Sequence, residues 1–203
     1  MPAFFLAAIV LLLPGCFGGA DTRPSPASHD LSPAQAEADS ASVNLLRQIE
    51  VRAPSWLDTT AMQYRLSYAD RTKRQAYAES RWVAPPARLL EQRLKRRLLS
   101  GDGSSQAHAA DCRLRLELDE LVQDFDRPGG SQMILEARAT LLAPRGDATL
   151  ARQHFRRVQA AGADARGGVV ALEAATRQLA GEIENWLKQG GHATSGQCRL
   201  GPD

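Results

Sequence analysis

Cys112, Leu114, Leu116 and Leu118 alternate without a break against Arg113, Arg115, Glu117 and Asp119. A strict period of two over eight residues is the pattern of a strand with one buried and one wet face. The neighbouring segments must therefore build a sheet around it and cover its apolar side. The phase changes near Glu120-Leu121-Val122, which predicts a bulge or sharp twist, and Asp124-Phe125-Asp126 carries the strand on. Arg127-Pro-Gly-Gly130 reads as a turn, Gln132 to Leu142 as a return strand, and Pro144-Arg145-Gly146-Asp147 as a second turn. Thr149 to Val158, anchored by Phe155, reads as a third strand. Three strands joined by short turns predict an antiparallel meander.

Upstream, Val43 to Ala53 reads as a first strand, with Ile49 and Val51 alternating against Gln48, Glu50 and Arg52 until Pro54 ends it. Tyr64, Leu66 and Tyr68 alternate with Arg65 and Ser67 in a second. A polar loop containing Ser80-Arg81-Trp82 leads to Pro85-Pro86, which suit the first turn of a helix. Leu90, Leu94 and Leu98 then recur every fourth residue. Gly167-Gly168 opens a long helix whose buried side is read as Val170, Ala174, Leu179, Ile183, Trp186 and Leu187, stopped by Gly190-Gly191. The expected domain is α+β in two layers. Its sheet is antiparallel, with about five strands in the order β-β-α-β-β-β-α, and two helices cover one face. The charged face, with Arg113, Arg115, Glu117 and Asp119, is left for water or a partner.

The N-terminus carries a different signal. Ala3 to Leu13 is apolar and uncharged, but shorter than the roughly 20 residues that span a membrane. It reads as the core of a secretory signal peptide. Leu13-Pro14-Gly15-Cys16 follows at once and is similar to a lipobox, in which cleavage before the Cys leaves a thiol that takes diacylglycerol. Pro14 is unusual there, and no Lys or Arg precedes the apolar run. The competing reading is an ordinary signal peptide with an incidental Cys. Phe17, rather than Asp, follows Cys16, which in the lipoprotein sorting system this resembles favours release to the outer membrane. Residues 16–42 then form a Pro-, Gly- and Ser-rich stretch expected to be a disordered tether, reaching roughly 80 Å if polyproline-like.

With Cys16 lipidated, Cys112 and Cys198 remain. In an oxidising periplasm an even pair reads as a disulfide, the alternative being two free thiols. Two such distant cysteines without neighbouring His make a poor zinc site. The division is then 1–15 signal peptide, 16–42 lipidated Cys and tether, 43–190 folded domain, and 191–203 a tail tied down by Cys198.

No catalytic motif is present: no nucleophile elbow, paired-His zinc helix, phosphate-binding loop or dinucleotide fingerprint. Four scattered histidines and the pair Asp124 and Asp126 read as solvated groups. The basic runs Arg93 to Arg97 and Arg152 to Arg157 read as solvated faces, or as attraction to anionic headgroups or an acidic partner. Twenty-five Lys and Arg against 23 Asp and Glu leave only +2, so no acidic partner is implied overall. An aromatic content of 5% argues against a stacking platform for single-stranded nucleic acid.

The tyrosine-bearing strand, "YAESRWVAPPARLLEQRL", "ELDELVQDFD" and the late helix bearing Trp186 together resemble the ABC-type transport auxiliary lipoproteins, the PqiC-like family. The resemblance implies a non-enzymatic auxiliary subunit of an ABC/MCE lipid-transport system at the periplasmic face of the outer membrane. Its partner would be an MCE-domain protein, with no nucleic acid and no cofactor beyond the diacylglycerol and N-acyl chain on Cys16. A ring-like homo-oligomer would fit a docking role. Tyr77, Arg81 and Trp82 are the loop residues expected to meet the partner; the competing reading of the loop, from the residues alone, is a connection pinned by one buried tryptophan. The alternative is an assembly lipoprotein for an outer-membrane protein or lipopolysaccharide translocon.

Overall fold

A computed structural model describes residues 25–31, 46–99, 112–194 and 197–198. The signal peptide, Cys16 and most of the tether lie outside the described residues. In chain order the elements are β1 (Ala27–His29), β2 (Leu46–Arg52), β3 (Ala61–Leu66), β4 (Arg74–Trp82), α1 (Pro86–Leu98), β5 (Cys112–Arg127), β6 (Gly130–Leu142), β7 (Thr149–Ala161) and α2 (Ala165–Thr194). The α+β class holds, and the meander β5–β6–β7 is antiparallel.

The expected five-stranded antiparallel sheet is corrected in number and in sense. The sheet has seven strands in the order β1-β4-β3-β5-β6-β7, with β2 also pairing β5. Three of its pairings are parallel: β1 with β4, β2 with β5, and β3 with β5. The cause is the length of β5. Its 16 residues accept two strands along one edge, β2 beside Cys112–Glu117 and β3 beside Gln123–Phe125. The expected phase change is present as a register shift between Leu118 and Glu120.

The alternation of β5 packs as it reads. Cys112, Leu114, Leu116 and Leu118 are all buried and share one core with α1 and α2. Burying each leucine contributes about 1.5–3 kcal/mol, so this face holds the strand in place. The β5–β6 turn needs Gly129, whose φ is +74°.

Helix α1 starts at Pro86 behind Pro85, as the double proline requires, and Lys95, Arg96 and Arg97 occupy its last turn. Cations there oppose the negative end of the helix dipole. Helix α2 begins where the Asp164 carboxylate accepts the Gly167 N–H at 2.6 Å. It continues through Gly190-Gly191 to Thr194, past the expected stop. Of its expected buried side, Leu179, Ile183 and Leu187 are buried and Trp186 packs against the core. Val170 is exposed instead, and in the first turns Ala171, Leu172 and Ala175 are buried. Small residues there let the helix approach the sheet. At Gly168 a Cβ would stand 2.3 Å from Gln123 Oε1, which leaves room for glycine alone.

Cys112 and Cys198 form a disulfide with Cα atoms 5.0 Å apart. It closes a long loop and ties the C-terminal tail to the start of β5, worth roughly 4–5 kcal/mol in the chain-entropy account.

Two further expectations fail. The tether does not pass free of the domain over its whole length. Residues 27–29 add β1 to the β4 edge, and Leu31 is buried. The polar loop around Ser80-Arg81-Trp82 is the end of β4.

Candidate functional site

The three residues expected to form an exposed docking loop do not come together on the surface. Trp82 is 3% exposed and belongs to the core. Its backbone N–H donates to the Thr60 carbonyl at 2.8 Å. Tyr77 lies on β4 and is half-buried. Its hydroxyl donates to Gln123 Oε1 at 3.0 Å, and its ring stands 4.7 Å from that of Tyr64. Burial, then Tyr64 and Asp164, push its phenol up to about 12, so it stays a neutral donor. Arg81 alone is exposed, with Nε donating to Ser28 Oγ on β1 at 3.2 Å.

Gln123, 1% exposed, is the centre of this region. Its Nε2 donates to Ser131 Oγ, the Gly162 carbonyl and the Asp164 carbonyl at 2.9, 2.7 and 3.1 Å. A buried amide so fully engaged holds strands and the start of α2 in register, and leaves nothing for a ligand. Asp124 is buried and accepts the Ser67 hydroxyl, while Asp126 is exposed. The reading of both as solvated fails for Asp124, because the neighbouring turn folds over it. The two carboxylates do not converge as an acid–base pair would.

The charged face of the sheet is the more open surface. Its side chains form an interlocking set of ion pairs. Arg115 meets Glu50 at 3.4 Å and Asp147 at 3.9 Å. Arg138 grips Asp119 at 2.8 Å and approaches Glu117 at 3.5 Å. Glu50 is held below the usual carboxylate range, first by its hydrogen bond from Arg52. A groove of about 540 Å³ runs across this face, lined by Arg115, Glu117, Arg138, Thr140, Arg152 and His154. Arg152 and His154 present their side chains to solvent. Exposed pairs of this kind add little stability. They set the charge pattern a partner meets, which governs specificity and approach.

The basic runs read from sequence are largely neutralised. Arg156 pairs with Glu136 and Arg157 with Glu182, both at 2.5 Å, and Arg93 is buried. Among the described residues, no group of three or more His, Cys, Asp or Glu is placed to hold a metal. No helix of the described residues is long and apolar enough to cross a membrane. The site signal that sequence reasoning missed is β1, where one large apolar residue, Leu31, stands in an otherwise polar tract.

The fold is an α+β domain with one packed face and one charged, grooved face. Residues 29–184 match the family described as the ABC-type transport auxiliary lipoprotein component. The chain therefore belongs to that family of auxiliary transport lipoproteins. Its fold is similar to that of a Xanthomonas campestris protein, at 20% identity and a TM-score of 0.64, over 84% of this chain and 97% of the other. A second solved structure, of an uncharacterized protein, is similar at 15% identity and a TM-score of 0.58, over 80% and 99% of the two chains. No curated protein matches the chain significantly.

Proposed function

We propose that this protein is a non-catalytic subunit of an ABC/MCE intermembrane lipid-transport system. In this reading Cys16 carries the diacylglycerol and N-acyl chains and fixes the chain to the periplasmic face of the outer membrane. More than one acyl chain is needed for stable anchoring. The domain then docks an MCE-domain partner that spans the periplasm. The observation that carries the reading is the family match over residues 29–184.

The charged sheet face supplies the docking surface. It is open, grooved and patterned with both signs of charge. Arg152 and His154 are its best-placed free contacts. Trp82 contributes by holding the β4 end in the core rather than by touching the partner. The sequence carries no phosphate-binding loop, so the energy of transport comes from another subunit.

The test is in-cell crosslinking of the tagged mature protein, with mass spectrometry of captured proteins and lipids. Recovery of an MCE-domain protein, weakened by Arg152→Glu, is the expected result. Recovery of a β-barrel protein alone would overturn the docking reading and favour an assembly role.

A further inference from the structure

The short strand β1 changes what a tether can do. It pairs with β4 in parallel, Ala27 opposite Ser80 and His29 opposite Trp82. Three contacts fasten it besides the ladder. The His29 carbonyl accepts the Val83 N–H at 2.9 Å. A His29 ring nitrogen and Ser80 Oγ are 3.2 Å apart, and Arg81 Nε donates to Ser28 Oγ at 3.2 Å. Leu31, 3% exposed, plugs the core immediately afterwards. Returning a leucine buried at this level to water is costly, so the segment is held.

Ala27 follows Cys16 by only eleven residues. Whatever their conformation, eleven residues span at most about 36–40 Å. That is about half the reach of a tether running free to residue 42. The direction of β1 adds a second constraint. β1 lies against the last residues of β4, Ser80 to Trp82, and because the pair is parallel Ser25 and Pro26 lead into Ala27 from the direction of Arg74, where β4 begins. The 67–73 turn between β3 and β4 lies at that end, beside the end of β5, where the Tyr68 N–H donates to the Phe125 carbonyl. This turn exposes Tyr68, Arg71 and Lys73, with Asp70 between them, and keeps one net positive charge. Tyrosine is an interfacial residue, and Arg and Lys are attracted to anionic headgroups. The β7 edge lies five strand spacings from β1 in the sheet order, about 24 Å at roughly 4.8 Å each.

We infer that the β1–β4 edge and the 67–73 turn face the phospholipid surface, held there by β1, while the β7 edge and the turn between β6 and β7 point away. This rests on Cys16 being the anchor. It deepens the proposed role by assigning the two sides of one domain to the membrane and to the partner.

The test uses the full-length acylated protein on vesicles of phosphatidylethanolamine and phosphatidylglycerol containing a headgroup energy acceptor. A donor fluorophore is placed at Lys73 or at Asp147 through an introduced non-natural amino acid. Quenching is expected to be several-fold stronger at position 73 than at 147. Leu31→Asp, which expels the segment after β1, should collapse that difference while the protein stays on the vesicles. Equal quenching at both sites, or stronger quenching at 147, would overturn the orientation. A difference that survives Leu31→Asp would show that β1 does not set it. The anchor is checked separately: Cys16→Ala must leave the vesicles. If Cys16→Ala stays bound, the anchor reading fails and the inference falls with it for that identified reason.

Discussion

The two lateral halves of the sheet are held together by different chemistry. Strands β5, β6 and β7 pair antiparallel over long stretches, and their inward side chains, Leu114, Leu116, Leu135, Ala137 and Phe155, are buried with α2 in one core. Strands β1, β3 and β4 are shorter; Met62 and Trp82 reach the same core, but much of their join to β5 is polar. Arg65 and Arg74 both grip Glu120, at 2.5 and 2.6 Å. Tyr77 reaches Gln123, and Ser67 reaches Asp124. Apolar burial is non-directional and tolerates local shifts, whereas polar links hold only in one register. The meander is therefore the stable body and the β1–β3–β4 wing is a specifically registered attachment. A wing that fastens a tether needs a fixed register more than it needs bulk.

The contrast is broken most severely by removing apolar volume from the meander. Leu116→Ala deletes a fully buried side chain and is expected to destabilise the whole domain by about 2–5 kcal/mol. The unfolding transition should move as one in circular dichroism and tryptophan fluorescence. Loss of under half a kilocalorie, or a change confined to one probe, would mean that the core is centred elsewhere. A smaller and more local effect is expected at the seam. Gln123→Ala removes a fully buried side chain together with its hydrogen bonds to Ser131, Gly162, Asp164 and Tyr77, at about 1–3 kcal/mol. Hydrogen exchange should speed up in β3, β4 and the first turn of α2 before it does in β6. Uniform acceleration across both halves would erase the distinction between body and wing.

The same division explains what the sequence could disclose. In the meander each strand finds its partner across a short turn, so Cys112 to Asp119 and the Gly129 turn declare both strands and their pairing. Within the wing β3 and β4 pair antiparallel across the 67–73 turn, but β1 joins β4 and β3 joins β5 in parallel over long separations, and no turn residue marks such a neighbour. β1 is three residues, Ala-Ser-His, with no alternation to detect, and Leu31 is its only apolar signal. β4 hides because its inward residues are Tyr77, Ser80 and Trp82, a sequence whose phase slips near Ala78 and Glu79. On the residues alone Trp82 reads as the buried pin of a loop, and its docking role rests on the family resemblance; it is buried, as the apolar end of a strand. In α2, Val170 draws attention by size, yet the small residues Ala171 and Ala175 are the ones that fit against the sheet.

Strand β2, which lies beside β5 with its other edge toward α1, is secured by a side chain of that helix. Glu91 on α1 accepts the Val51 N–H at 3.0 Å through Oε2 and the Lys95 ammonium at 2.7 Å through Oε1. Burial raises its carboxyl, but Lys95 and the Val51 N–H outweigh it, and the group lies below its ordinary range. A carboxyl depressed in the folded state contributes stability above its unfolded value, and that contribution is lost as pH falls through the folded value. Glu91→Gln keeps an acceptor for Val51 and removes the charge. At neutral pH it should therefore cost about 0.3–1 kcal/mol, the range of a single helix pair with partial burial. The gap between the two proteins should close as pH falls past the ordinary glutamate range and through the depressed folded value, where the wild-type carboxyl also becomes neutral. Denaturant midpoints at pH 7, 5 and 3 check this. A gap that stays constant over that range would show that the carboxylate charge at Glu91 does nothing for β2, and that the strand is held by Ile49 and Val51 in the core alone.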